Sequence, residues 1–171
     1  MHDVSVSSGP SPASPPSGGP LPIPYTAEEV GRTFADLLAT FDFATELHEL
    51  GIGKLNIAKR AKAKKLLTAV SIVLWHVALE KSFPHDADAF FSHFIATYPR
   101  LKGEGRSARK MRDLVARYDA LAAEKKDADF TVIADTLVSA LHIQEADRRR
   151  QQLKLSLRVR SVYELIFEKL I

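Results

Sequence analysis

Histidines and their neighbouring carboxylates are the side chains of this sequence that could bind a metal ion. His76 and Glu80 lie four residues apart, which places two ligands on one face of a helix. Further imidazole and carboxylate groups follow closely: His85, Asp86, Asp88 and His93. The paired Glu-x-x-His motifs of di-iron bundles and the His-Glu-x-x-His zinc motif are both missing. We therefore predict no metal and no cofactor, and we interpret His76 as a core histidine bonded to a neighbour.

Phosphate-binding and nucleophilic chemistry have little support in the sequence. Gly51 and Gly53 lie in a short stretch that does not follow a strand and is better explained as a turn between helices. Residues 102–106 combine basic side chains with a helix start predicted at Ser107, which is the pattern of an anion site, although a solvated loop explains them more simply. There is no cysteine and no nucleophile elbow. We therefore expect a protein that is not an enzyme.

Lysine and arginine form the remaining group of side chains with a recognisable chemistry. Residues 54–65, 100–126 and 148–171 are basic blocks, and the acidic blocks 26–53 and 127–147 alternate with them. The blocks either neutralise each other inside one fold or leave cations free for an anionic partner such as a phosphate backbone. The candidate contacts to such a partner are Lys59, Arg60, Lys62, Lys64, Lys65, Arg106, Arg109, Lys110, Arg112, Arg148, Arg149 and Arg150.

The segments that must position these residues are predicted to be helices. Residues 1–24 are rich in Pro, Ser and Gly and are predicted to be a disordered leader. Thr26 and Glu29 form a capping-box pattern at the start of the first helix, Leu47 and Leu50 are candidates to extend its apolar face, and Gly51 is a candidate left-handed cap. A long helix spans 55–81, with a basic half over 54–65 and an apolar half over 66–79.

Shorter helices are predicted for the next part of the chain. Residues 87–98 carry an aromatic face and start after Asp86 or Asp88, and a helix from Ser107 presents Met111 and Tyr118 on one side. Another helix starts at Asp127 or Asp129. No glycine or proline occurs between Arg106 and the last residue, which favours long helices over this whole stretch.

The C-terminal segment allows two interpretations. Residues 153–159 alternate between apolar and polar side chains, as a strand does, whereas another set of apolar residues recurs at helical spacing. We predict a helix, with a break near 148–152. Because its apolar residues span more than one stripe, we expect some of them to contact a partner or a second copy. The residues predicted for this interface are Leu155, Val159, Val162, Ile166 and Leu170.

The sequence therefore predicts an all-α fold, with a bundle of about five to six helices over 25–171 and a disordered leader over 1–24. Residues 142–171 are expected to form a protruding or partner-binding C-terminal helix. The first functional interpretation is an adaptor or regulator that binds another protein or itself, and the alternative is a nucleic-acid-associated protein. No apolar run reaches the ~18–20 residues of a membrane span, and we expect a cytoplasmic location, with nuclear localisation or non-classical secretion as alternatives.

Overall fold

The computed structural model describes residues 25–124, 130–143 and 145–170, and all regular structure in them is helical. The all-α prediction is confirmed. None of the described helices combines the length and apolar character that a bilayer crossing requires. The helices are α1 (Ala27–Ala39), α2 (Ala44–Glu49), α3 (Ile57–Ser82), α4 (Ala87–Thr97), α5 (Arg106–Glu124), α6 (Thr131–Ala140) and α7 (Glu145–Leu170).

The first two helices show how local sequence signals begin and end an element. The capping box at Thr26 is present, because its hydroxyl accepts from the Glu29 backbone N–H while the Glu29 carboxylate accepts from the Thr26 N–H. Gly51 has φ of 66°, and the N–H of Ile52 donates to Leu47, so the predicted left-handed cap is a Schellman motif. The first helix ends at Ala39 and does not continue to Leu50, because α2 starts separately at Ala44.

The long helix α3 has the two unlike halves that its sequence predicts. From Leu66 to Leu79 every side chain is buried except that of Val77, which is half-buried. Trp75 lies at the centre, with its ring stacked on Phe34 at 4.4 Å between centroids. In the basic half, residues 57–65, only Ala63 is buried. Burial of the apolar half stabilises the fold, and the basic half remains at the surface.

Aromatic contacts fix the direction of α4 relative to α3. Phe90 packs on Phe83 at the end of α3, with 5.6 Å between ring centroids. Phe94, one helical turn later in α4, reaches back to Trp75, with 4.9 Å between centroids. α4 therefore runs antiparallel to α3, and the turn after Phe83 and Pro84 reverses the chain.

The direction of α5 follows from its polar contacts. Asp119 of α5 and Asp88 of α4 both contact the imidazole of His76 in α3. Arg112, earlier in α5, donates instead to backbone carbonyl oxygens of the turn that follows α4. α5 is therefore antiparallel to α4, and it runs in the same direction as α3.

The C-terminal helix α7 also runs in the direction of α3. Leu155 lines a small cavity together with Leu67, and further along both helices the Lys81 ammonium lies 5.4 Å from the centre of the Tyr163 ring. α6 runs the opposite way, because Phe130 at its start packs on Tyr163. α7 is a continuous helix that packs on α3 and α6. The helix prediction for 153–159 is confirmed, the predicted break near 148–152 is wrong, and the predicted starts at Asp127 and Asp129 lie outside the described residues.

The end of α6 provides a test of backbone strain. His142 has φ of 51°, a left-handed conformation that costs residues other than glycine about 1 kcal/mol, and the N–H of Ile143 donates to Val138 as in a Schellman motif. We expect His142→Gly to raise the free energy of unfolding by about 0.5–1 kcal/mol in chemical denaturation. His48→Gly, within helix α2, should instead lower it by about 1 kcal/mol. Destabilisation by both changes would contradict the strain at His142.

Candidate anion-binding end of the bundle

Basic residues of three helices lie toward the same end of the bundle. α3, α5 and α7 run in the same direction, and each carries several Lys or Arg residues in its N-terminal half. Chain direction therefore places parts of three basic blocks, which are far apart in sequence, toward one end. We call this surface the basic end, and it comprises Lys59, Lys62, Lys64 and Lys65 of α3, Arg106, Arg109 and Lys110 of α5, and Arg149 and Arg150 of α7.

Most of these cations have no carboxylate partner among the described residues. Within the described ranges, the one ion pair of the set joins Arg109 to Glu104 at 3.9 Å, and both side chains are well exposed, so this pair contributes little. The first turns of α3 and α5 contain no acidic residue, whereas the first turn of α1 contains Glu28 and Glu29. Cations near a helix N-terminus oppose the helix dipole and reduce stability slightly. Helix stability therefore does not explain why they are placed there.

Four of the predicted contacts donate hydrogen bonds within the described part of the fold. Arg109, which is exposed, donates through Nε to the Glu104 carbonyl at 2.9 Å, and the other three have structural roles. Arg112 donates to the backbone carbonyls of Leu101 and Gly103, which fastens the turn before α5. Arg148 donates to Asp135 at 2.9 Å and to the Ser139 hydroxyl, which ties α7 to α6. The half-buried Arg60 donates to the carbonyl of Ile52 at 3.3 Å. These bonds use guanidinium donors that an anionic partner would need. We therefore do not include these three residues in the basic end.

Two apolar side chains are largely exposed beside the lysines of α3. Leu55 is 97% exposed and Ile57 is 77% exposed. Leu55 precedes α3 and Ile57 is its first residue, and an isolated exposed apolar residue would need no explanation. Leu55 and Ile57 together form a small exposed apolar surface next to the lysines, and we call it the apolar tip. This end of the molecule therefore carries both cationic and apolar side chains.

The interface predicted for the C-terminal helix is largely buried within the chain itself. Leu155 and Val159 are each 3% exposed, and Ile166 is fully buried. Val162 and Leu170 are half-buried and pack against the same core. This corrects the expectation that these residues meet a partner, because α3 and α6 already cover them. The apolar residues that stay exposed lie on the opposite side of α7, at Leu153, Leu157 and Phe167.

His76 forms a polar cluster with Asp88 and Asp119, and the sequence analysis did not identify Asp119 as its partner. Its Nδ1 lies 2.8 Å from a carboxylate oxygen of Asp119, its Nε2 lies 3.4 Å from Asp88, and its ring stacks on Phe91. The two carboxylates contact opposite edges of the ring and do not converge on one point, and no group of three metal ligands is found among the described residues. The prediction that His76 bonds to a neighbour is confirmed, and Asp119, 43 residues away, is that neighbour.

The chain was compared with protein families, curated proteins and solved structures, and none of the three comparisons found a match. The geometry of the described residues is therefore the basis for a functional proposal.

The His76 cluster predicts a pH-dependent stability. Burial of the ring lowers the pKa of His76, but the hydrogen bond and charge of Asp119, together with Glu80 and Asp88, outweigh burial and raise this pKa above 6.5. A raised histidine pKa gives stability that is fully present below pH 6.5 and is lost as pH rises through the folded-state pKa. Asp119→Asn should therefore lower the free energy of unfolding by about 1–2 kcal/mol more at acidic than at alkaline pH. Urea unfolding at a series of pH values on both sides of neutrality measures this difference.

A matched change on the same helix is the control for this pH dependence. Asp113 is an exposed carboxylate of α5 that forms no ion pair with described residues, so Asp113→Asn should change stability by a similar small amount at every pH. An Asp119→Asn penalty that stays constant or grows as pH rises would contradict the ion pair with His76.

Proposed function

We propose that this chain is a non-enzymatic helical interaction protein that binds the phosphate backbone of a nucleic acid through its basic end. The observation that carries the proposal is the convergence of three basic helix starts. In the described part of the chain, no carboxylate lies within ion-pair distance of most of these cations. The long, flexible Lys and Arg side chains of this surface are free to approach an anion.

A phosphate backbone suits this surface because it requires a dense array of cations and no base-specific contact. Lys62 and Lys64 are exposed on α3, Lys110 on α5, and Arg149 and Arg150 on α7. Contacts from several helices spread the charge over a surface, as an extended polyanion demands. A nucleic-acid partner is also compatible with the cytoplasmic location expected from the sequence.

The placement of the basic blocks changes the balance between the two interpretations of the sequence. The preference for a protein partner depended on the alternation of basic with acidic blocks and on the lack of an apparent element that reads bases, which backbone binding does not require. Two described acidic residues instead pair with cations outside the basic end, Glu46 with Arg158 at 2.7 Å and Asp135 with Arg148. Glu104 pairs with Arg109 of the basic end at 3.9 Å, and both side chains are exposed. The apolar interface predicted for the C-terminal helix is occupied by the core. Both observations favour the phosphate backbone.

A second candidate is a protein partner with an acidic segment, and the apolar tip favours it. Leu55 and Ile57 would stay in water on a phosphate backbone, whereas a protein segment with apolar and acidic side chains would cover them. Under this alternative the chain is an adaptor or regulator. The double variant Leu55→Ser, Ile57→Ser distinguishes the two candidates. It should leave the affinity for nucleic acid unchanged and lower the affinity for an acidic, partly apolar peptide.

The proposal predicts salt-dependent binding to a DNA duplex of mixed sequence. Fluorescence anisotropy at several salt concentrations should give a linear fall of log affinity with log salt. Lys62→Glu with Lys64→Glu should weaken binding and reduce the magnitude of that slope by about 2, since each lost phosphate contact contributes about 1. Affinity should fall equally for unrelated duplex sequences, because no base is read.

The control applies the same change of charge away from the basic end. Arg32 in the first half of α1 and Lys169 at the end of α7 are exposed, and α1 starts beside the end of α7. Arg32→Glu with Lys169→Glu should keep the wild-type salt slope. If both double variants lose the same binding affinity, the effect depends on net charge alone and not on the basic end. If the wild type does not bind the duplex at low salt, the proposal of a nucleic-acid partner is wrong.

A further inference from the structure

The outward face of α7 carries a continuous stripe of exposed residues. Leu153 is 64% exposed, Leu157 is 58% exposed and Phe167 is 39% exposed, and Arg160 and Glu164 between them are also exposed. These positions are separated by four, three, four and three residues, so they lie along one side of the helix. We call this set the outer stripe.

Phe167 contacts the Tyr163 ring, with 6.1 Å between centroids, but it remains partly exposed, and Leu153 and Leu157 are more than half exposed among the described residues. The outer stripe lies opposite the buried face of α7, where Leu155, Val159 and Ile166 pack into the core. Arg160 and Glu164 form no ion pair with any described residue, including each other. Three large apolar residues on one exposed helix face, with an unpaired cation and an unpaired anion between them, indicate a contact surface.

The order of residues along the stripe is complementary to itself. In an antiparallel pair of identical helices centred near Val162, positions whose numbers lie equally far from the centre face each other. Leu157 then faces Phe167 of the second copy, and Arg160 faces Glu164 of the second copy. Two-fold symmetry repeats each contact, which gives two apolar pairs and two ion pairs.

We infer that a second copy of this chain packs on the outer stripe of α7 to form an antiparallel two-fold dimer. A second copy supplies an apolar residue opposite Leu157 and opposite Phe167, and an opposite charge opposite Arg160 and opposite Glu164. The four-three spacing is that of helices that pack side by side at a small angle. The ion pairs select the antiparallel register, because a shifted pairing brings Arg160 or Glu164 against leucine or phenylalanine.

This inference is independent of the proposed nucleic-acid binding. The basic residues Arg149 and Arg150 precede the outer stripe on α7, and α3 and α5 contribute none of its residues. The Lys62→Glu, Lys64→Glu variant should therefore dimerise like the wild type. Loss of nucleic-acid binding and loss of the dimer are separate results.

Sedimentation equilibrium of the full chain over a concentration series tests the dimer. The wild type is expected to show a concentration-dependent dimer. Leu157→Glu should give a monomer with unchanged helical circular dichroism, because this side chain is exposed in the single chain. A wild type that stays monomeric at every concentration, or a Leu157→Glu variant that dimerises like the wild type, would overturn the inference.

Charge exchange at the two central positions tests the register. Arg160→Glu alone and Glu164→Arg alone each place like charges opposite each other twice per dimer, so each should weaken self-association by at least about tenfold. The double variant should recover wild-type association, and a mixture of the two single variants should form a heterodimer. Arg117→Glu, an equally exposed change on α5, should have no effect. Failure of both the double variant and the mixture to recover association would overturn the antiparallel register.

Discussion

Burial of the apolar half of α3 is the constraint on which the arrangement of the other helices depends. The side chains from Leu66 to Leu79 are almost all inaccessible to water, and α1, α2, α4, α5 and α7 all pack against α3. Trp75 contacts aromatic rings from two of these helices, Phe34 of α1 and Phe94 of α4. A helix that is apolar on all sides is stable in water only when neighbours surround it. The other helices supply that cover.

The same arrangement explains why the basic blocks meet. α3 changes from basic to apolar along its length, so helices that cover the apolar half leave the basic half exposed at one end. α5 and α7 run parallel to α3, and each carries several of its cations in its first half. The cations near the starts of α3 and α5 oppose the helix dipoles, and the first turns of these two helices contain no acidic residue. In the proposed function, an anionic partner provides the compensation that these first turns lack.

Local patterns in the sequence were sufficient to predict the helices and most of the core, but not the contacts between distant segments. The capping box at Thr26 and the left-handed Gly51 depend on neighbouring residues, so they could be predicted. The His76–Asp119 pair joins α3 to α5 and leaves no local signal. On α7 both faces carry apolar residues at helical spacing, and periodicity alone does not indicate which face the core covers. The lysine cluster of α3 was recognisable because it is contiguous, whereas its convergence with α5 and α7 required knowledge of chain direction.

One half of α3 holds the fold together, and in the proposed function the other half binds a partner. Hydrogen–deuterium exchange, resolved along α3 with and without a DNA duplex, measures both halves in one experiment. Amides of residues 66–79 should exchange only through global unfolding in both samples. Amides of residues 61–65 should exchange faster in the free protein and slow down when the duplex is added. Equal protection of both halves in the free protein, or no change in residues 61–65 with duplex, would contradict this division of roles.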